Sequence, residues 1–322
     1  MRYRTIPRTD IHASSICLGT ASIGSTLNEA DSFKMLDTFV DLGGNFLDTS
    51  LNYADWQCEI KSVSEKTIGK WMKLRQNRNR IVVGTKGGCP KPAEGRFFRL
   101  SREELEHDLQ KSLSNLQVST IDLYWLHRDD PSRPVSEMID FLHEQVIAGK
   151  IRSFGCSNWS VERIEEAIAY SEAAGKYGFC ANQMMWSLAE PNPDGISDKT
   201  LAVMDQATKK YHETYDLAAV PFSSQAGGFF GRALSRTELE KAKPSLGKYF
   251  NDVNFGRLER VREVAGEIGA APSAVALAVL FAQPYAVYPI IGSRTTEQLA
   301  DSCAAGQLRL EEKTARYIET GE

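Results

Sequence analysis

Apolar residues recur along this chain in two alternating patterns. Short runs rich in β-branched or aromatic residues, such as RIVVGT (80–85) and IDLYWL (121–126), are typical of buried strands. Between such runs, apolar residues recur every three or four positions, as in EADSFKMLDTFVDLG (29–43), which indicates helices. The first pattern predicts strands at 13–19, 45–49, 80–85, 121–126, 150–157, 179–185, 216–222 and 286–292. The second predicts helices at 29–43, 62–74, 101–116, about 135–148, from Ser160, about 197–211, 272–283, and from Thr295 or Thr296.

Local signals mark where several of these helices begin. Ser62 with Glu65, and Ser101 with Glu104, have the spacing of capping boxes, in which each side chain satisfies a backbone N–H of the other residue. Pro272 stands in the first turn of a predicted helix, where its missing N–H removes no helical hydrogen bond. These signals predict helix starts close to residues 62, 101 and 272.

Strands that alternate with helices predict the α/β class with a parallel sheet. Because eight such units follow one another, we expect the sheet to close into a (β/α)₈ TIM barrel that spans residues 1–322 as a single domain. An open doubly wound sheet is the alternative. The opening segment 2–12, with a turn at 8–10, predicts a β-hairpin that plugs the N-terminal end of the barrel. The long stretch 223–256 is too rich in apolar and aromatic residues to be a linker, and we interpret it as a flap over a cofactor or substrate.

The composition is that of an ordinary globular protein and excludes several functions. Of 322 residues, 42% are hydrophobic and 25% are charged, and the formal net charge is −4. A negative chain is unsuited to a phosphate backbone, so we expect no nucleic-acid partner. No apolar run reaches about 18 residues, and the first residues lack the apolar stretch of a signal peptide, so we expect no membrane partner.

The cysteines favour a reducing compartment. The chain has six, at Cys17, Cys58, Cys89, Cys156, Cys180 and Cys303. None belongs to a CxxC pair, and no spacing of Cys and His suggests zinc, so we expect no metal. Scattered, unpaired cysteines predict a cytoplasmic location.

Four ionisable residues lie where predicted strands end, which is where TIM barrels place their active sites. Asp48 ends the second strand, with Tyr53 shortly after it, Lys86 ends the third and His127 ends the fourth. Each has an ordinary explanation on its own: a turn cap for Asp48, loop packing for Tyr53, surface exposure for Lys86 and a core position for His127. Their coincidence at adjacent strand ends favours a shared active site.

The stretches NFLDTSLNYADW (45–56), VVGTKGG (82–88) and LYWLHRDD (123–130) resemble the aldo-keto reductase family, whose catalytic tetrad is Asp, Tyr, Lys and His in this order. The resemblance covers nearly the whole chain, from LGTASIG (18–24) to IIGSRTTEQLADS (290–302). It implies an NADP(H)-dependent oxidoreductase that interconverts an aldehyde or ketone and an alcohol by hydride transfer. The small-molecule carbonyl or alcohol is then the expected partner.

The residue types suit the roles that the resemblance implies. Tyr53 would donate the proton to the carbonyl oxygen, or accept it in the oxidation direction. Because an ordinary tyrosine has a pKa near 10, a neighbouring cation is needed to favour tyrosinate, and Lys86 is expected to lower that pKa. Asp48 would pair with Lys86 and offset the cost of burying its ammonium. A neutral His127 would hydrogen-bond the substrate oxygen.

The cofactor residues rest on the same resemblance, since no GxGxxG follows the first strand. Binding of the nicotinamide end is expected from Asp48, Ser157, Asn158, Gln183 and the ring of Phe222. Ser223 lies in FSSQAGGFFGR (222–232), which is expected to cover the pyrophosphate although it departs from the family's usual Ser-Pro-Leu or Ser-Ala-Leu.

A Gly-Ser turn that enters a helix favours a phosphate, because free backbone amides and the helix dipole attract an anion. The segment GSRTTEQLADS (292–302) has this form, and the family resemblance assigns the adenosine phosphate end to Gly292, Ser293, Arg294, Gln298, Asp301 and Ser302. Arg294 is placed to meet the additional phosphate of NADP, which makes NAD(H) the less favoured cofactor. Two positions depart from the family: Ser302 replaces a frequent asparagine and Gln298 replaces the arginine of one branch.

Candidate substrate contacts are Ile23, Trp56, Arg128 and Trp186. Aromatic rings beside charged groups suit a sugar or sugar derivative, and a small aromatic aldehyde would also fit such a site. Each of these side chains has loop packing as its ordinary explanation.

Two other functions are compatible with the same barrel. One is a cofactor-binding regulatory protein, similar to relatives that act as channel-associated subunits with little turnover. The other is a lyase or isomerase in which Lys86 forms a Schiff base. The intact set of Asp48, Tyr53, Lys86 and His127 argues against the first, and the cofactor motifs argue against the second.

Overall fold

Eight parallel strands lie at the centre of the computed structural model, which describes residues 1–55, 57–91, 94–95, 98–231, 234–242 and 244–322. A two-stranded antiparallel hairpin precedes them, formed by β1 (Tyr3–Thr5) and β2 (His12–Ser14). The parallel strands are β3 (Cys17–Gly19), β4 (Phe46–Asp48), β5 (Val82–Gly87), β6 (Ile121–Leu126), β7 (Ile151–Ser157), β8 (Ala181–Gln183), β9 (Ala218–Ala219) and β10 (Ile290–Ile291). Each strand from β3 to β8 pairs with the next, and β10 pairs with β3.

The sheet closes on itself between β9 and the segment before β10. The N–H of Ala219 donates to the carbonyl of Ala286 at 2.8 Å, and the N–H of Tyr288 donates to the carbonyl of Ala219 at 2.9 Å. A further bond at 2.9 Å joins the N–H of Ile290 to the carbonyl of Pro221. These bonds confirm the (β/α)₈ barrel and exclude the open sheet.

The hairpin packs against the barrel interior, as predicted. Ile6, Ile11 and Ala13 are fully buried and share one apolar cluster with interior residues such as Phe46 and Leu123. The predicted strand 13–19 was wrong in one respect, because its first residues belong to β2 of the hairpin and only Cys17–Gly19 belongs to the barrel.

Alternation along each strand decides which side chains face the barrel interior. In β6, Leu123 and Trp125 belong to the interior cluster, whereas Tyr124 packs in the cluster beneath the helices. The indole of Trp125 fills the interior and leaves no space for a side chain at Gly155, where a Cβ would lie 2.5 Å from that ring. Two residues beyond Trp125 along the same face comes His127, at the C-terminal end of the strand.

The helices lie outside the sheet, and most of them match their predicted positions. They are α1 (Glu29–Asp41), α2 (Val63–Arg75), α3 (Arg102–Leu116), α4 (Val135–Ile147), α5 (Val161–Ala173), α6 (Gln206–Thr214), α7 (Arg236–Ala242), α8 (Asp252–Ile268), α9 (Pro272–Val279), α10 (Thr296–Ala304) and α11 (Glu312–Thr320). The capping box of Ser101 and Glu104 is confirmed at the start of α3, and Pro272 opens α9.

The predicted capping box of Ser62 and Glu65 is wrong. Ser62 adopts a left-handed backbone conformation with a φ of 56°, and its side chain makes no capping bond. Glu65 is fully buried instead, and it accepts hydrogen bonds from Thr85 Oγ1 at 2.6 Å and from Asn115 Nδ2 at 2.8 Å. The carboxylate therefore joins α2 to β5 and α3 rather than to its own N-terminus.

Four helices and one loop boundary also differ from the predictions. The helix expected at about 197–211 begins only at Gln206, because an irregular segment precedes it. The helices α7, α8 and α11 were not predicted. In α8 the buried positions Phe255, Leu258, Val261 and Val264 recur every three residues among charged ones, and the predicted loop 223–256 therefore ends where α8 begins.

Among the described residues, no single helix is long and apolar enough to cross a membrane. One bent pair, Asp252–Ile268 with Pro272–Ala282, passes by length and composition alone, with a bend of 109° at its break.

Candidate active site

A buried lysine joins two predicted active-site residues at the C-terminal end of the barrel. Lys86 Nζ lies 2.5 Å from Asp48 Oδ2 and 2.9 Å from the hydroxyl of Tyr53, and it also donates to the carbonyl of Thr49 at 2.8 Å. Asp48 and Lys86 are each 1% exposed. All three hydrogen atoms of the ammonium therefore have acceptors, which offsets part of the cost of burying the charge.

Strand alternation explains why these two side chains meet. Asp48 stands two residues after Phe46 in β4, and Lys86 stands four residues after Val82 in β5. Phe46 and Val82 are paired in register and belong to the interior cluster. Because side chains two or four residues along a strand share its face, Asp48 and Lys86 both point into the barrel at its C-terminal mouth.

Burial and charge act in opposite directions on the pKa values of these groups. Burial lowers the pKa of Lys86, but Asp48 and Tyr53 outweigh that effect and the net pKa is raised. Burial raises the pKa of Asp48, against the opposing influence of Lys86 and Gln183. For Tyr53, burial also dominates: Lys86 lowers the pKa as expected, yet the net pKa lies above the ordinary value. Lys86 therefore acts on the pKa of Tyr53 in the predicted direction, while desolvation of the phenolate acts against it.

His127 lies beside this group. Its ring centroid is 6.2 Å from that of Tyr53, with the two rings at 71°. Burial, together with the positive charges of Lys86 and Arg128, holds the pKa of His127 well below its usual range. The imidazole is therefore neutral at physiological pH, as expected from the sequence.

Three further polar residues surround Tyr53 and His127. Ser50 Oγ donates to Asn52 Oδ1 at 2.8 Å and lies 3.3 Å from His127 Nδ1. Asn52 Nδ2 contacts Cys89 Sγ at 2.8 Å. Ser50 and Asn52 were not predicted as site residues, although both stand between Asp48 and Tyr53 in the stretch that carried the family resemblance.

The residues predicted for the nicotinamide end lie at the same mouth. Gln183 Nε2 donates to Asp48 Oδ1 at 2.8 Å. Asn158 has a left-handed backbone with a φ of 61°, and its Nδ2 donates to Ser157 Oγ at 3.0 Å and to the carbonyl of His127 at 3.3 Å. Phe222 follows β9 and is partly exposed. Hydrogen bonds thus join two of the residues predicted to bind the carboxamide, Gln183 and Asn158, to Asp48 and His127 of the tetrad.

The residues predicted for the phosphate end lie between β10 and α10. Ser293 is 6% exposed, and its hydroxyl has no hydrogen-bond partner among the described residues. Gly292, Arg294 and Asp301 are exposed. Gln298 folds back along the chain, because its Oε1 accepts from the N–H of Arg294 at 3.0 Å.

A glutamine that was not predicted as a site residue connects this segment to the stretch that follows β9. Gln225 Nε2 donates to Ser302 Oγ at 2.8 Å, and Gln225 Oε1 accepts from the N–H of Gly292 at 3.3 Å. Ser223, two residues earlier, is exposed with a φ of 55°. The only sequence signal was the departure of FSSQAGG from the family's usual residues, which marked the position without indicating a partner.

Comparison with known proteins decides the family. The model of the aldo/keto reductase family matches residues 15–320. The chain belongs to the aldo-keto reductase family. It is therefore an oxidoreductase, and the expectation drawn from the sequence motifs is confirmed at this level.

Relatives of this aldo-keto reductase carry several names. An uncharacterized oxidoreductase, YrpG, of Bacillus subtilis is 29% identical, over 99% of this chain and 95% of the relative. Norsolorinic acid reductase A of Aspergillus parasiticus is 28% identical, over 98% and 79%. A putative aryl-alcohol dehydrogenase of Saccharomyces cerevisiae is 27% identical, over 99% and 86%. The crystal structure of a thermostable aldo-keto reductase in complex with the inhibitor epalrestat has the same fold, with a TM-score of 0.75, 21% identity and 99% coverage of both chains.

The predicted substrate contacts of this aldo-keto reductase fall into different surroundings. Arg128 lies at the mouth, where its guanidinium donates to Thr200 Oγ1 at 2.9 Å and to Asp198 Oδ2 at 3.0 Å. Ile23 is 1% exposed and packs in the core beneath the helices, so it offers almost no surface to a ligand. Trp56 lies outside the described residues.

Trp186 also differs from its predicted role. Its ring is 7% exposed, lies 6.4 Å from the ring of Tyr285 and has Lys209 Nζ 6.0 Å from its centroid. Tyr285 precedes β10 and Lys209 belongs to α6, so the indole packs within the layer of helices. Trp186 lies three residues beyond the end of β8, and its side chain packs in the cluster beneath the helices rather than in the barrel interior.

A second long loop, 184–205, contacts the segment 223–256 and the helix that follows it. The N–H of Asn192 donates to the carbonyl of Lys248 at 2.6 Å, and Asn254, which is fully buried in α8, donates to the carbonyl of Glu190 at 2.8 Å. Arg257 Nη2 pairs with Glu190 Oε1 at 2.7 Å. These bonds join the loop 184–205 to the C-terminal part of the segment 223–256 and to α8.

Proposed function

We propose that this aldo-keto reductase interconverts an aldehyde or ketone and an alcohol by hydride transfer with NADP(H). The observation that carries the proposal is the buried chain from Asp48 through Lys86 to the Tyr53 hydroxyl, with His127 beside it. A structural ion pair would not require a phenol hydroxyl on the same ammonium. A general acid requires it, because the phenolate formed on proton donation needs a neighbouring cation.

Each side chain has a definite task in this proposal. Reduced nicotinamide, when bound, supplies a hydride to the carbonyl carbon. Tyr53 donates its hydroxyl proton to the carbonyl oxygen and is left as a phenolate, which Lys86 stabilises at 2.9 Å. Asp48 keeps the Lys86 ammonium charged and oriented. His127 hydrogen-bonds the substrate oxygen, and in the oxidation direction Tyr53 accepts the proton from the alcohol.

The chain's own residues fit a dinucleotide with a phosphate on its adenosine. The hydroxyl of Ser293 is buried without a partner among the described residues, so it is free to bond a phosphate oxygen of the cofactor. Exposed Arg294 and the N-terminus of α10 are adjacent. Ser157, Asn158, Gln183 and Phe222 would hold the nicotinamide end, with Gly292, Gln298, Asp301 and Ser302 at the adenosine end and the flap, including Ser223, over the pyrophosphate.

Replacing Arg294 with alanine is expected to weaken NADPH binding by about 10- to 100-fold, because a charge-assisted hydrogen bond to phosphate is lost. NADH binding is expected to change little, since it lacks that phosphate. Tryptophan-fluorescence titrations with each cofactor measure both effects. Arg80→Ala, an exposed arginine before β5, is the matched control and should leave both affinities unchanged. Equal losses for NADPH and NADH would show that Arg294 does not distinguish the two cofactors.

The substrate class is proposed from the mouth and from the names of the relatives. Asn52, Cys89, Arg128 and Thr200 supply polar groups near the tetrad, which suits a hydroxylated substrate such as a sugar or sugar derivative. The relatives named norsolorinic acid reductase and aryl-alcohol dehydrogenase add aromatic carbonyls and alcohols to the candidates. A panel of sugars, aromatic aldehydes and aryl alcohols, followed through NADPH absorbance, tests the function directly. If no member is turned over while NADPH binds tightly, the alternative of a regulatory cofactor-binding barrel is favoured.

Arg128 is expected to affect substrate binding more than the chemical step. Replacing it with methionine removes the donors that tie Thr200 and Asp198 to the mouth, and the expected result is a KM about 3- to 30-fold higher with a small change in kcat. Steady-state kinetics on the best substrate of the panel measure this. Arg133→Met, which breaks ion pairs with Asp130 and Glu137 further along the same loop, is the control. A large fall in kcat for Arg128→Met would contradict a role limited to binding.

We also propose a cytoplasmic location. All six cysteines are free, and four of them, including Cys17 and Cys156, are buried. Buried free thiols persist in a reducing compartment.

A further inference from the structure

Arg128 presents a guanidinium at the mouth of the barrel with part of its hydrogen-bonding capacity unused. Its Nε donates to Thr200 Oγ1 at 2.9 Å, its Nη1 to the carbonyl of His127 at 2.8 Å and its Nη2 to Asp198 Oδ2 at 3.0 Å. A guanidinium has five N–H groups. One N–H on each terminal nitrogen therefore has no partner within the described ranges, and each can donate to an oxygen of a ligand.

The guanidinium is held in a fixed position beside the tetrad. Arg128 directly follows His127, and the bond from its Nη1 to the His127 carbonyl ties the side chain to the backbone just after β6. Only 15% of the Arg128 side chain is exposed. A guanidinium that is already held in place loses less side-chain entropy when it binds a carboxylate or a phosphate than a freely moving one does. Arg128 is thus prepared for an anionic ligand.

The carboxylate that pairs with Arg128 does not cancel the positive charge at the mouth. Asp198 approaches from an irregular loop with 46% of its side chain exposed, so water screens its charge. Beside burial, the charges that act on His127 are those of Lys86 and Arg128, and both lower its pKa. The potential next to the imidazole is therefore positive, and it favours a negatively charged ligand over a neutral ligand of the same shape.

We propose that the carbonyl substrate carries a carboxylate or a phosphate, and that Arg128 binds this anionic group while the carbonyl meets Tyr53 and His127. Sugar acids, sugar phosphates and aromatic aldehydes with an acid group all fit this description, so the inference narrows the substrate classes proposed above. Arg128 then determines specificity, whereas the tetrad carries out the chemistry. The inference rests on the proposed function for the reaction, but binding of the anion requires no turnover and can be measured separately.

Aldehydes of matched shape test the specificity. The carboxylate of para-formylbenzoate is replaced by a neutral amide in para-formylbenzamide, and para-formylphenyl phosphate tests the phosphate. We expect the kcat/KM of the wild type to be about 3- to 30-fold higher for at least one anionic aldehyde than for the amide, because a charge-assisted hydrogen bond is formed. Arg128→Met should remove this preference by raising the KM of the anionic aldehyde alone. Arg133→Met, which breaks ion pairs with Asp130 and Glu137, is the control and should keep it. Equal kcat/KM values for all three aldehydes in the wild type would overturn the proposal.

Removal of the opposing carboxylate is expected to have the opposite effect. Asp198→Asn keeps the side-chain oxygen that accepts from the N–H of Thr200 at 2.9 Å, but it removes the negative charge beside Arg128. The KM of the preferred anionic aldehyde should fall about two- to fivefold, since an exposed carboxylate opposes the ligand only weakly, and the KM of the amide should stay the same. A rise in the KM of the anionic aldehyde would contradict the inferred balance of charges at the mouth.

Binding of unreactive anions separates this inference from the proposed function. Benzoate, phenyl phosphate and neutral benzamide are titrated by calorimetry into the wild type, Arg128→Met and Arg133→Met, with NADPH present to fill the cofactor site. At least one anion is expected to bind more tightly than benzamide, and only Arg128→Met should remove the difference. If this result is found but no aldehyde is turned over, the proposed function fails and the anion site stands. A difference that survives in Arg128→Met would place the anion elsewhere and overturn the proposal, as would equal binding of the three probes.

Discussion

Replacing Tyr53 with phenylalanine is expected to lower kcat by about 10²- to 10⁴-fold, the usual contribution of a positioned general acid. The hydroxyl is the only part of the side chain that is removed, and it is the part that Lys86 Nζ contacts at 2.9 Å. The ring keeps its place over Lys86, whose Nζ lies 4.6 Å from the ring centroid, so the mouth should keep its shape. NADPH binding, measured by tryptophan fluorescence, is expected to remain within about threefold of wild type, since no cofactor contact is assigned to the hydroxyl.

Tyr285→Phe is a matched control for that variant. The Tyr285 hydroxyl is buried without a partner among the described residues, and its ring packs against Trp186 in the layer of helices. Its removal should leave turnover unchanged. Undiminished turnover by Tyr53→Phe would contradict the assignment of Tyr53 as proton donor, while collapse of turnover in the control as well would show that the assay reports folding.

Replacing Lys86 with methionine is expected to abolish turnover and to lower the free energy of unfolding by about 3–5 kcal/mol, because a buried Asp48 carboxylate loses its partner. The Gln183 amide, at 2.8 Å, would remain as a neutral donor to that carboxylate. Urea unfolding of wild type and variant measures the difference. Lys70→Met is the control: it breaks an exposed pair with Glu29 at 2.7 Å and should cost about 0–1 kcal/mol.

The loss of stability in Lys86→Met is expected to increase as the pH rises. Burial already raises the pKa of Asp48, and removing Lys86 takes away its largest opposing influence. Below the ordinary carboxyl pKa of about 3.9, Asp48 is protonated in both states and the missing ammonium costs least. As the pH rises toward and through the raised pKa, the unfolded chain ionises first and the folded variant loses stability. The deficit should therefore be larger at about pH 8 than at about pH 5.

The double variant with Asp48→Asn tests the same pair from the other side. With neither charge present, no unpaired carboxylate is buried, and most of the lost stability should return while turnover stays abolished. A double variant no more stable than Lys86→Met would show that the loss comes from packing around the methionine.

The sequence by itself determined the order of strands and helices, and through it the barrel. The reason is local: burial on one face of a strand or helix imposes a periodicity that can be read without tertiary information. The same periodicity placed Asp48, Lys86 and His127 correctly, because they continue the interior face of strands whose apolar residues define it. The cap at Ser101 was also predicted, since both partners of a capping box lie within one helical turn.

Only the tertiary structure decided which polar groups meet. Ser50 and His127 are far apart in sequence, as are Gln225 and Ser302, and no local pattern pairs them. Glu65 does not form its predicted cap, because Thr85 and Asn115, which belong to other elements, donate hydrogen bonds to its buried carboxylate. The pKa of Tyr53 also depends on the tertiary structure. The identity of its neighbour Lys86 was readable from the motif, but the desolvation that outweighs Lys86 depends on how much of the folded chain surrounds the phenol. Periodicity records whether a residue is buried, whereas hydrogen-bond partners and desolvation depend on distances between segments that the barrel brings together only when it closes.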